Sequence, residues 1–139
     1  VGITMFGLDA RYINKRFSAR GQYIHTLITD ADDYNTLNAA NLGSELKGWY
    51  AEAAYNLLPI TNAQKLDAFV RYEIYDTHAA TQKSGITRNL GYNRNDITAG
   101  LSYHVAPGAV VKADYQIFDN EAIGNQSKGQ LNIGFGVWF

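Results

Sequence analysis

Gln130-Leu131-Asn132-Ile133-Gly134-Phe135-Gly136-Val137-Trp138-Phe139 reads two residues at a time. Leu131, Ile133, Phe135, Val137 and Phe139 fall on one side, and Asn132, Gly134, Gly136 and Trp138 on the other. A period of two is the mark of a β-strand, here with one wholly apolar face. Soluble domains rarely carry such a face out to a bare aromatic residue. A strand with lipid on one side and water on the other has this pattern, with aromatics at the interface.

The remaining 129 residues of the 139 repeat the pattern six times. Strands are expected over residues 2–12, 17–28, 47–58, 65–77, 95–105 and 109–119. The first puts Phe6, Leu8, Ala10 and Tyr12 on its apolar face and Met5, Gly7, Asp9 and Arg11 on the other. The second puts Phe17, Ala19, Gly21 and Tyr23 outward; after Tyr23 the order of Ile24 and His25 looks exchanged. Either the strand has left the membrane there or it holds a bulge. Outward sets in the next four are Trp49 to Leu57, Leu66 to Ile74, Ile97 to Val105 and Val111 to Ile117, every second residue. Ala106-Pro107-Gly108 is the tightest turn, and residues 59–64 form another short connection. Residues 29–46 and 78–94 are long polar loops, the first with a helical turn expected near 36–40. A third loop covers residues 120–129.

Strands of this length suit the ~9–11 residues that cross a bilayer at a tilt. Connections alternate short and long, which points to an all-β, transmembrane, antiparallel up-and-down β-barrel of the bacterial outer-membrane type. Composition agrees: 46% hydrophobic and 13% aromatic residues, with 18% charged, exclude a disordered chain. No apolar run approaches the length of a membrane-crossing helix. A formal charge of −1 argues against a nucleic-acid partner. Cysteine is absent, so thiolate and disulfide chemistry are excluded. Val1-Gly2-Ile3-Thr4 lacks the features of a signal peptide, so a processed form or a fragment is expected. Seven strands with a periplasmic carboxyl terminus start on the extracellular side. Since such barrels have even strand numbers, the chain is expected to be the C-terminal part of a larger barrel.

The outward face is then the lipid face. Tyr12, Phe17, Tyr55, Tyr103 and Phe139 make an aromatic girdle toward the short turns, and Tyr23, Trp49 and Tyr115 one toward the long loops. A soluble sheet would need a helix or second sheet to cover this face, and no amphipathic helix is evident. The inward face carries Asp9, Arg11, Arg20, Gln22, Glu52, Asp67, Arg71, Glu73, Asp96, His104, Lys112 and Asp114. These are expected to line a wet lumen, or to pair across strands, Asp9 with Arg20 or Glu52 with Arg71.

Catalytic and metal signals are poor. His25, His78 and His104 lack metal-ligand spacing. Asp76, His78 and Ser84 make no motif. Asp30, Asp32 and Asp33 read better as an acidic solvated loop than as a cation site. Lys83, Arg88 and Arg94 in the second long loop could fold into a pore or meet lipopolysaccharide phosphates. No enzyme activity, metal or cofactor is expected.

The run Asn95-Asp96-Ile97-Thr98-Ala99-Gly100-Leu101-Ser102-Tyr103-His104-Val105-Ala106-Pro107-Gly108-Ala109-Val110-Val111-Lys112-Ala113-Asp114-Tyr115-Gln116 resembles the last hairpin of the phosphate-selective porin O and P family. Gly48-Trp49-Tyr50-Ala51-Glu52-Ala53-Ala54-Tyr55 and Phe6-Gly7-Leu8-Asp9-Ala10-Arg11-Tyr12 look like upstream strands of it. The resemblance implies a sixteen- or eighteen-stranded porin, usually trimeric. It also implies that the strand ending in Phe139 is read by the barrel assembly machinery. Phosphate selectivity is not implied, because acidic residues offset Arg11, Arg20, Arg71 and Lys112. The expected function is passive diffusion of small hydrophilic solutes or ions. The alternative is a small closed barrel with a structural or adhesion role.

Overall fold

A computed structural model describes residues 1–81 and 86–139. Seven strands form one antiparallel sheet in sequence order: β1 (Gly2–Asn14), β2 (Phe17–Thr29), β3 (Glu45–Asn56), β4 (Lys65–Ala80), β5 (Asn93–Ala106), β6 (Ala109–Asn120) and β7 (Lys128–Val137). The fold is all-β and up-and-down, and the sheet is open, with β1 and β7 as edges.

The register explains why these segments pair. A slip by one residue would carry a whole strand's apolar set to the opposite face. Instead the apolar residues meet strand by strand. Leu8 lies opposite Tyr23, Tyr23 opposite Trp49, and Trp49 opposite Ile74. Tyr72 lies opposite Ile97, Ile97 opposite Ile117, and Tyr115 opposite Leu131. One apolar face therefore runs across all seven strands.

Several boundaries differ from the sequence reading. Most strands run further toward the long loops, because hydrogen bonding continues after the apolar pattern stops. β2 pairs with β1 without a break as far as Thr29, so the exchange at Ile24 and His25 is no bulge. The irregular register lies instead between Glu45 and Lys47, and between His104 and Ala106. The helical turn lies earlier than expected, as α1 (Ala31–Asn38), ended by Ala39 in the left-handed region at φ 48°. Asn35 fastens the return: its side chain donates to Leu42 O at 2.9 Å and accepts from Leu42 N at 2.7 Å.

The connection between β3 and β4 is less tight than expected. β3 stops at Asn56, whose Oδ1 accepts from Leu58 N and Leu66 N, both at 3.1 Å. Arg16, in the turn between β1 and β2, reaches across. Its guanidinium donates to Asn56 O and Leu57 O at 2.7 Å each and stacks 4.9 Å from the Tyr55 ring centroid. Arg16→Ala is expected to lower stability by about 1–2 kcal/mol, since two carbonyls lose a charged donor. Equilibrium urea unfolding of the folded protein measures it.

Glycines sit where backbones approach closely. A side chain at Gly48 would lie 2.9 Å from Tyr75 Cβ, and one at Gly100 would strike the β6 carbonyl of Ala113. Gly108, at φ 85°, makes the tight β5–β6 turn and accepts from Trp138 N at 2.9 Å.

Candidate functional site

The sheet is inside-out relative to a soluble domain. Among the described residues only Ile28, Ala31 and Phe69 are buried apolar residues, whereas Asp67, Asp76, His78, Asp96, Thr98 and Asp114 are among the buried polar ones. The outer face stays exposed, with Val70 at 49%, Ile133 at 74% and Phe135 at 83%. An exposed apolar surface of this extent is foreign to soluble monomers. The polar face is the concave one. A hollow of ≈380 Å³ is lined by residues of β1 through β6, from Arg11 to Lys112. Six flat strands would span ~24 Å, too far for one hollow unless the sheet curls.

The apolar face has sharp limits, and they run obliquely. Toward the long loops the unbroken apolar run ends at Phe6, Tyr23, Trp49, Ile74, Ile97, Ile117 and Leu131, on β1 to β7 in turn, with Leu27 a further apolar residue on β2 beyond His25. Thr4, His25, Lys47, Asp76, Asn95, Asp119 and Gly129 follow them. In register this limit falls by three rows over the six steps from β1 to β7. The opposite limit, from Tyr12 through Phe17, Tyr55, Leu66 and Tyr103 to Val137, also falls by three, with Val105 a further exposed apolar residue on β5. The band is therefore parallel-sided and tilted against the hydrogen-bond rows. Three rows are ~20 Å along a strand and six steps are ~29 Å across, so the tilt is about 35°. From Leu66 to Ile74 the band measures ~27 Å along β4 and ~20 Å along each of the other six strands, or ~22 and ~16 Å perpendicular to its edges.

The girdle positions can now be placed. Tyr23 and Trp49 are cross-strand neighbours at the upper limit, and Trp49 packs edge-on to Tyr72 at 5.7 Å. Tyr115 is one row inside the limit, with its hydroxyl lying over Gly129. Tyr12 and Phe17 pack at 6.3 Å, at the lower limit. Tyr55 and Tyr103 also lie at this limit, and Phe139 stands fully exposed beyond β7.

On the concave face, Glu52 is the centre. It accepts from Arg20 at 2.9 and 3.1 Å and from Arg71 at 3.0 Å. The Glu52–Arg71 pairing expected from the sequence is present. Asp9 with Arg20 is not: Asp9 lies opposite Gln22, which donates to it at 3.3 Å, and Arg20 lies opposite Arg11. Glu73 stands opposite Asp96 and 3.8 Å from Arg71. Asp67 pairs with Lys65 at 2.8 Å and His104 at 3.6 Å, and Asp114 with Lys112 at 3.5 Å and Asn132 at 2.9 Å. Lys112 also lies 4.6 Å from the Phe69 ring centroid. Asp96 is 1% exposed; its Oδ2 accepts from Gln116 at 3.3 Å and Tyr75 at 3.5 Å, and its Oδ1 has no partner.

One cluster was not foreseen. Beyond the band, Asp76 and His78 project from the outer side of β4 and are buried by returning loops. Arg88 pairs with Asp76, and that hydrogen bond raises the Arg88 pKa above its ordinary value. His78 Nδ1 accepts from Asn89 N at 2.8 Å, and its ring meets Tyr92 edge-on at 5.8 Å. Only the apolar-to-polar change at Asp76 hinted at this in the sequence. His78→Phe keeps the ring and removes the acceptor, so exchange of the Asn89 amide is expected to quicken about five- to tenfold. Hydrogen exchange read by NMR or mass spectrometry tests it.

No catalytic constellation forms among the described residues. His25 binds Glu45 at 2.9 Å on the outer side, His104 faces Asp67 on the concave side, and His78 is held by its loop. Ser84, Lys83 and Gly85 fall outside the described residues. Arg88 is committed to Asp76 rather than to the concave face, and Arg94 sits on the concave side, opposite Tyr75. No group of three or more His, Asp or Glu side chains among the described residues could hold a metal ion. No family model, curated protein or solved structure matches this chain.

Proposed function

We propose that this chain forms part of the wall of a bacterial outer-membrane porin, a β-barrel that passes small hydrophilic solutes or ions by diffusion. The observation that carries this reading is the oblique apolar band. Outer-membrane barrels have strands tilted ≈35–45° and an outward apolar band ≈25 Å tall between aromatic girdles. A tilt of about 35° lies within the first range, and a height of about 16–22 Å lies somewhat below the second. A soluble sheet has no reason to limit its apolar residues along a slanted, parallel-sided band.

The open edges extend the reading. With seven up-and-down strands, β1 and β7 run in the same direction. An all-antiparallel closure therefore needs an odd number of further strands. Bare edges cannot remain in hydrocarbon, where no water satisfies them. On this reading the short turns face the periplasm and the long loops the exterior, near lipopolysaccharide. The resemblance of residues 95–116 to the phosphate-selective porin O and P family fits the same architecture. It would add a trimer, and recognition of the strand ending in Phe139 by the barrel assembly machinery.

The test is conductance of the complete protein in planar bilayers. Stable steps in potassium chloride are expected. A protein that inserts but stays silent would replace the porin by a plugged barrel with a structural or adhesion role. Failure to insert would remove both.

A further inference from the structure

Charges on the concave face are unevenly divided between rows, with acids in the majority in one and bases in the next. One row runs Asp9, Gln22, Tyr50, Glu73, Asp96, Phe118 and Lys128 from β1 to β7. The next row toward the short turns begins Arg11, Arg20, Glu52 and Arg71. Glu73 is directly opposite Asp96, and Arg11 directly opposite Arg20. Like charges facing across strands are destabilising. Alternating them would have served the sheet better, so the uneven division calls for another reason.

We propose that these two rows form a lengthwise dipole in the lumen that orients and favours zwitterionic solutes of dipeptide size. The inference rests on the porin reading. On β1 the two rows are represented by Asp9 and Arg11. Among the described residues Arg11 has no carboxylate partner, whereas Arg20 and Arg71 share Glu52. Among the described residues, Asp9 is met by the neutral amide of Gln22, at 3.3 Å. Neighbouring rows on one strand face lie ~7 Å apart. An extended dipeptide separates its ammonium and carboxylate by a similar ~7 Å. Its ammonium fits the Asp9 row while its carboxylate fits the Arg11 row, so the carboxylate points toward the short turns. Beyond the arginines, the ≈380 Å³ hollow continues with Lys65, Asp67, His104 and Lys112, where Asp67 holds Lys65 and His104 and Asp114 holds Lys112. A solute of one sign meets one favourable row and one unfavourable row.

Swelling of vesicles that contain the complete protein compares diglycine with N-acetylglycinamide, an uncharged solute of similar size. Diglycine is expected to enter about fivefold faster, the effect of a unit charge pair near contact in water. The same protein in planar bilayers is expected to pass a rectified potassium chloride current. Exchanging the charges, Asp9→Arg with Arg11→Asp, should invert the rectification and reverse the diglycine preference. A neutral double variant, Asp9→Asn with Arg11→Gln, keeps side-chain size and should abolish both. Equal entry of the two solutes, a symmetric current, or either variant behaving as the parent overturns the dipole while the porin stands. Entry of neither solute overturns the porin and the dipole together.

Discussion

If the sheet spans a membrane as proposed, arginine at Val70 is expected to destabilise the protein by about 2–4 kcal/mol, whereas arginine at Leu131 or Tyr12 costs about 0–1 kcal/mol. All three residues lie in one hydrogen-bonded row, running Tyr12, Ala19, Ala53, Val70, Ala99, Tyr115, Leu131. In a soluble sheet one row has one environment, and the cost would track local packing. In a tilted barrel the same row climbs from one membrane interface to the other. Tyr12 is then at the lower limit of the band, Val70 at its middle and Leu131 at its upper limit. The penalty depends on depth because an arginine near the interface can extend to water. Urea titrations of the three variants in bilayers read the difference. Equal costs would remove the tilt, and with it the main support for a membrane-spanning sheet.

The second large effect is expected at Glu52. Glu52→Gln leaves the guanidinium groups of Arg20 and Arg71 without their shared carboxylate and adds one unit of positive charge to a row that holds three arginines. Removing one partner of a fully buried pair costs about 3–5 kcal/mol. Arg20 is 48% exposed and Arg71 29%, so solvent screens them and about 1–2 kcal/mol is expected here. Permeation should respond more clearly than stability. The reversal potential under a potassium chloride gradient is expected to move toward anions in Glu52→Gln. Arg71→Gln, on the same row, should move it the other way. Two shifts of the same sign would mean that the row does not face the permeating ions.

Much of the sheet was legible in sequence because strand periodicity is local. Residues such as Leu131, Ile133 and Phe135 declare their face without reference to any partner. Strand ends were less legible. Hydrogen bonding along β4 continues to Ala80, past the point where Ile74 ends the apolar pattern. Periodicity marks where the apolar face stops, and the backbone ladder does not stop there. The start of α1 was also missed, since Asp32, Asp33 and Tyr34 carry no apolar period. That helix depends on Ala31 and Asn35 being buried by the returning chain.

Ion pairs were legible only as candidates. Opposite charges on one face allow many pairings, and Asp9 with Arg20 was as reasonable as Glu52 with Arg20. Register decides between them, and register is a relation between two strands. The latch at Asp76 and His78 lay further from view, because Arg88, Asn89 and Tyr92 reach it through the fold of a loop.

By itself, then, the sequence determined seven strands, two faces of opposite character, and which residues belong to each. That information resides in alternation, which needs no contact to be read. Only the tertiary structure decided how the strands align, and so which charges meet, that the polar face is concave, and that the apolar band slants by about 35°. The slant is a sum of small offsets between neighbouring strands, and no single strand contains it.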